Sequence, residues 1–306
     1  MKLVSDFDGV WTDQDKEAEF VWDYIVKKIS SITKFKPAEV SALLDECRKE
    51  MDKSPYEFGW YNNGKITAYY KEDPFGDNNA IFNYIQRAAN ANSFSVFRQK
   101  LNDIKTAIAS SGFGSPEEFS NKCFSESTKI FKESGKLAPH PNAKTALEQT
   151  LKKGVNIVVA SNSSTEKIEH LFLKLGKQPT NEKSFKPGPV HARGNSMKFV
   201  ITPEFTGVPE KMKITTNYDI QLRRKNYYDV LVDEMPDYVI GDVFSLDLAL
   251  PLYLRLNDPQ FSKMKIIQRM QAYTPAWVKD FLTREEFKQI AFIINDISEL
   301  PDVIKW

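Results

Sequence analysis

The residues able to do chemistry lie at the ends of short apolar runs. Asp6 and Asp8 follow Lys2-Leu3-Val4-Ser5, Ser161 and Asn162 follow Asn156-Ile157-Val158-Val159-Ala160, and Asp242 follows Tyr238-Val239-Ile240-Gly241. Two acidic residues with one residue between them project to the same side of an extended chain, and the turn allowed at Gly9 adjusts how Asp8 sits beside Asp6. If folding brings Asp242 into the same crevice, the like charges repel by several kcal/mol, so the arrangement needs a bound cation or a shared proton. An all-oxygen ligand set without His or Cys favours Mg²⁺.

These residues must be positioned by the elements that precede them. The runs beginning at Lys2, Asn156, Tyr238 and Ala291 read as strands buried on both faces of a parallel sheet, alternating in the second half of the chain with helices such as Thr165 to Leu175. In open sheets of this kind ligands bind outside the carboxyl ends of the strands, where these polar residues would converge.

Between the first two strands the pattern turns helical. Ala18, Val21, Trp22, Ile25, Ile29 and Ile32 recur at steps of three and four, as do Val40, Leu43, Leu44, Cys47 and Met51 after Pro37. Further helices are predicted over Asn79 to Ala89, Phe94 to Ile108 and Pro116 to Phe131, the last opened by a Ser115-x-x-Glu118 capping box. Aromatic runs around Asn63-Gly64, from Phe58 to Tyr70, predict a hairpin or an aromatic loop. The segment 135–141 reads as a connector, because its two prolines bar a continuous helix and the following Ala143, Leu147 and Leu151 begin a new amphipathic one. The predicted fold class is therefore α/β, with residues 1–13 and 137–306 as one domain and the largely helical 14–136 inserted after its first strand.

Composition removes other classes of function. The 306 residues carry 42 Lys plus Arg against 41 Asp plus Glu, a formal charge of +1 that offers no basic field for nucleic acid or an anionic membrane. No run approaches the ~18 apolar residues of a transmembrane helix, and acidic residues interrupt the N-terminus before any signal region could form, so a cytoplasmic location is expected. Cys47 and Cys123 stand alone at apolar helical positions and read as packing residues, while His140, His170 and His191 lack metal-ligand spacing. Ser161-Asn162-Ser163-Ser164-Thr165 also reads as a helix cap, which is compatible with phosphate binding by Ser161.

Asp6-Phe7-Asp8-Gly9-Val10-Trp11-Thr12-Asp13 resembles the first signature of the haloacid dehalogenase superfamily. The strand ending in Ser161-Asn162 resembles its second, and Gly241-Asp242-Val243-Phe244-Ser245-Leu246-Asp247 its fourth. The helical insertion is similar to the C1-type cap of that superfamily, and the resemblance implies a Rossmann-like three-layer α/β/α sandwich. The third signature departs from the pattern: no Lys-Pro stands at the customary distance before Asp242. Lys186-Pro187 is more distant and Lys198 lies in an apolar run, so Arg224 or Lys225 is the favoured cation.

What the resemblance implies is a Mg²⁺-dependent phosphatase acting on a small phosphorylated metabolite. Asp6 would be the nucleophile that forms an aspartyl phosphate, and Asp8 the general acid and base. Asp6, the Asp8 backbone carbonyl and Asp242 would hold the metal, with Asp247 anchoring the metal loop. Ser161, with Arg224 or Lys225, would hold phosphoryl oxygens, Asn162 and Gly9 lining the same substrate site. A phosphomutase similar to β-phosphoglucomutase shares the Asp8 to Asp13 stretch, and a noncatalytic phospho-ligand-binding protein is the alternative of another class.

Overall fold

Leu3 and Val4 are both buried although their side chains point to opposite faces of the strand, so Lys2–Ser5 is covered from both sides. It pairs in parallel with Asn156–Ala160 on one edge, Val4 opposite Val158, and with Tyr238–Gly241 on the other, Val4 opposite Val239. The first strand of the chain is therefore a central one. The seven parallel strands run in the order Ala291–Ile294, Lys265–Arg269, Tyr238–Gly241, Lys2–Ser5, Asn156–Ala160, Val190–Arg193, Thr180–Asn181. The fold is α/β with a parallel central sheet, and the chain reverses its direction of winding at Lys2–Ser5, which is where such sheets open a crevice.

The four strands legible as apolar runs are present. Thr180–Asn181, Val190–Arg193 and Lys265–Arg269 were not anticipated, because polar residues interrupt their apolar signal. In Lys265–Arg269 those polar residues, Gln268 and Arg269, are nonetheless buried. A separate antiparallel pair, Lys211–Lys213 with Asp219–Gln221, was not anticipated either.

The computed structural model describes residues 1–89 and 95–305. The chain divides into two compact units, one of Met1–Gln14, Asn62–Ala68 and Leu137–Trp306 and the other of Asp15–Tyr61 and Tyr69–Lys136. The first holds the sheet. The second holds the helices Asp15–Ile32, Pro37–Met51, Pro74–Ala88, Val96–Ser110 and Pro116–Glu133, which bury Val21, Ile25, Ile29, Leu44, Ile81, Ile85, Leu101, Ile104 and Phe119 in a shared core. Cys47 and Cys123 are buried as free thiols in that core. The expected start of one helix at Phe94 lies outside the described residues. No helix among the described residues is long and apolar enough to cross a membrane.

The aromatic segment forms a hairpin of Gly59–Asn62 and Lys65–Tyr69, with φ of +50° at Asn63 and +71° at Gly64, as the two central residues of a type I′ turn require. The sequence reading placed all of this segment in the insertion, yet Asn62–Ala68 groups with the sheet-bearing unit. Polar contacts tie it there. Asn63 Nδ2 donates to the Ile201 carbonyl at 3.0 Å and Thr67 Oγ1 to the Phe199 carbonyl at 2.8 Å.

Candidate active site

The Asp6 amide continues the sheet ladder by donating to the Ile240 carbonyl at 2.8 Å, so the Asp6 side chain is set by the central strand. Beyond it the chain turns at Gly9, whose φ of +71° favours glycine, and a Cβ there would overlap the Asp242 carboxylate. Thr12 Oγ1 accepts from the Gly9 amide at 3.0 Å and closes the turn.

On the neighbouring strand, Gly241 lets the next loop fold back, since a Cβ at that position would overlap the Asp247 side chain. Phe244–Leu248 is a π-helical turn that leads into the helix Ala249–Asn257. It directs Asp247 back under the loop, where Oδ2 accepts from the Val243 amide at 3.1 Å. One carboxylate oxygen from each of Asp6, Asp242 and Asp247 lies within 4.8 Å of the others. Three carboxylates expected from the sequence are thus brought together from distant parts of the chain.

The cation among them is Lys198. Its ammonium lies 2.5 Å from Asp6 Oδ1 and 2.5 Å from Asp247 Oδ1, and its side chain is 2% exposed. Arg224 and Lys225, favoured from the sequence, are elsewhere, and both assignments are corrected here. Arg224 is buried but spends its guanidinium on Thr67, the Gln221 carbonyl and the Lys198 carbonyl, at 2.6 to 3.0 Å. It props the loop that carries Lys198. Lys225 is exposed and pairs with Asp229 one helical turn on.

Ser161 and Asn162 sit at the carboxyl end of Asn156–Ala160, as expected, and have distinct tasks. Ser161 is buried, and its Oγ accepts from the Ser163 amide at 3.2 Å. Asn162 Oδ1 accepts from the Lys198 amide at 2.7 Å, so this side chain fixes the lysine loop. Ser164 caps the helix Thr165–Lys174. The Asp8 carboxylate is not in the acidic cluster. It accepts from Ser163 Oγ at 2.5 Å and pairs with Lys167 at 2.9 Å, two residues the sequence reading did not single out.

Burial raises the Asp6 carboxyl to about 7; the Lys198 ammonium opposes that rise, and the Asp247 charge adds to it. Burial also works against the Lys198 charge, but Asp247 and Asp6 outweigh it and hold the ammonium well above the usual lysine range. The three-carboxylate set, with one ammonium among it, keeps net negative charge and offers only oxygen donors, which fits a hard divalent cation such as Mg²⁺.

Lys198 carried a signal that could have been read. It is the one charge in Met197-Lys198-Phe199-Val200-Ile201, and a lone lysine in an apolar run is either exposed at an edge or buried against acids.

The fold and site together define an α/β protein with an acidic cluster at the switch point of its sheet. No family model matches the chain, and no curated protein matches it. Among solved structures it is similar to CbbY from Rhodobacter sphaeroides in complex with phosphate, at 12% identity over 98% of this chain and 95% of that one, with a TM-score of 0.44. It is also similar to 2-haloacid dehalogenase from Pseudomonas syringae pv. Tomato, at 13% identity over 99% and 96% of the two chains with a TM-score of 0.39.

Proposed function

We propose that the chain is a Mg²⁺-dependent phosphatase of the haloacid dehalogenase type that hydrolyses a small phosphorylated metabolite. The observation that carries the reading is the Asp6 carboxylate at the end of the central strand, its side chain 11% exposed, held through Oδ1 by Lys198 and adjoined by Asp242 and Asp247.

In this reading Lys198 engages Oδ1 of Asp6 and leaves Oδ2 to attack phosphorus. A bond forms from Asp6 Oδ2 to phosphorus as the bond from phosphorus to the substrate oxygen breaks, and the Asp8 carboxyl gives its proton to that leaving oxygen. Water then adds to the phosphorus of the aspartyl phosphate while Asp8 recovers a proton, and inorganic phosphate departs with Asp6 restored. Ser161, at the end of the adjacent strand, would hold a phosphoryl oxygen, and Lys198 would stabilise the charge that develops. Asp6, Asp242 and the loop anchored by Asp247 would hold the cation, which supplies neutralisation of phosphate charge during transfer. Lys167, now paired with Asp8, must yield that carboxyl during proton transfer.

A noncatalytic binding protein was the competing reading because a well-placed third-signature cation was missing from the sequence. The position of Lys198 favours catalysis over that alternative. The test is a phosphate-release screen across sugar phosphates, phosphoglycolate and other small phosphate esters, with and without Mg²⁺. Turnover that needs Mg²⁺ and disappears in Asp6→Asn supports the reading. Turnover that survives Asp6→Asn, or absence of release from every ester while ligands still bind, would overturn it.

A further inference from the structure

Four polar side chains from one short segment converge on two loops of the site. The strand Lys265–Arg269 ends in Gln268 and Arg269, which are 0% and 3% exposed, and the chain continues through Gln271 to Tyr273. Polar side chains on a core strand are costly to bury unless their hydrogen bonds are spent on something that needs them. Here they are spent on the backbones of Gly9, Val10 and Asp242. Gln268 Nε2 donates to the Asp242 carbonyl at 2.6 Å. Arg269 Nη1 donates to the carbonyls of Gly9 and Val10, and Gln271 Nε2 donates to that of Gly9.

Tyr273 completes the set by donating its hydroxyl to Asp242 Oδ2 at 2.6 Å. The same carboxylate packs against the Cα of Gly9, where a Cβ would overlap it. Asp242 is therefore held at three points: its backbone by Gln268, one face of its carboxylate by the glycine turn, and one oxygen by a phenol. A carboxylate on a short side chain has free rotation about two bonds, and this arrangement removes it.

We infer that Tyr273 is a positioning residue for the divalent cation, its hydroxyl orienting the Asp242 carboxylate toward Asp6. This rests on the Mg²⁺ reading above. Hydrogen-bond partners behind a metal ligand fix its orientation, and their removal typically weakens metal binding about 10–100-fold.

The experiment is calorimetric titration of the purified full chain with Mg²⁺ alone, for the wild type and Tyr273→Phe, with thermal melts of each. Tyr273→Phe is expected to bind Mg²⁺ at least about tenfold more weakly, to melt with the wild type, and to recover most of its kcat at saturating Mg²⁺. Equal affinity of Tyr273→Phe and wild type would overturn the inference while leaving the phosphatase reading intact. Weaker binding accompanied by a lower melting temperature would overturn it too, by tracing the effect to the loop and not to the hydroxyl. A wild type that binds no Mg²⁺ would instead remove the metal reading on which it rests.

Discussion

Lys198 and Asp6 are 192 residues apart in the chain and 2.5 Å apart in the fold, the ammonium on one oxygen of the carboxylate at the end of the central strand. Neither group is tolerable alone at that depth, because an unpaired charge in a low-dielectric interior is opposed by the full loss of its hydration. Together with Asp247 they make a charged centre that the fold can keep buried.

Replacing Lys198 with Met removes the ammonium that opposes the rise of the Asp6 carboxyl and leaves Asp6 facing Asp247. Phosphate release by Lys198→Met is expected to fall by at least about 100-fold in kcat/KM, the usual cost of losing one preorganised donor. A variant within twofold of the wild type would show that Lys198 has no part in the chemistry.

Arg224 and Lys225 are adjacent in sequence and should behave oppositely. Arg224→Met strands the Thr67 and Lys198 carbonyls and is expected to destabilise the chain by about 3–5 kcal/mol, whereas Lys225→Ala changes stability by less than about 0.5 kcal/mol. Urea unfolding of the two variants separates these outcomes, and similar midpoints for both would contradict the placement of Arg224.

Gly9→Ala meets two obstacles at once, a left-handed backbone at φ +71° and overlap with the Asp242 carboxylate. The expected result is a loss of about 2–4 kcal/mol together with loss of turnover, read by denaturant unfolding and phosphate release. Full activity with unchanged stability would mean that the turn can relax away from Asp242.

In the helical unit, burial raises the Asp77 carboxyl from its ordinary 3.8 to about 6, against a hydrogen bond from the Lys71 amide at 2.7 Å. An acid whose folded value lies above its unfolded one is opposed as it ionises, so stability falls as pH rises from about 4 to about 6 and then levels off. Asp77→Asn keeps the acceptor for Lys71 without the charge. It should melt above the wild type at pH 7.5, by the equivalent of about 1–3 kcal/mol, and with it at pH 4. The same melting difference at both pH values would rule this origin out.

Much of the site is legible in the sequence. Asp6, Asp242 and Ser161 each terminate an apolar β-branched run, and a strand buried on both faces announces itself by composition alone. Their convergence followed from one general property, that parallel strands present their carboxyl ends on the same edge. The five-residue step from Asp242 to Asp247 was visible as well, although the π-helical turn that uses it was not.

The supporting cations and clamps were illegible because their identity depends on partners that no local pattern encodes. Lys198 lies in a loop whose course is set by Asn162 on one side and Arg224 on the other, so its reach to Asp6 exists only once three separate segments have packed. Gln268 and Arg269 weakened the apolar signal of their own strand, for the reason that makes them useful: their polar groups are turned inward to loops from other strands. Sequence alone determined which backbone segments are strands and which carboxylates stand at their ends, since burial and periodicity are properties of a single segment. Tertiary structure alone decided which cation lies among them and which hydroxyl reaches Asp242, since a buried charge chooses its partner by distance in the folded chain.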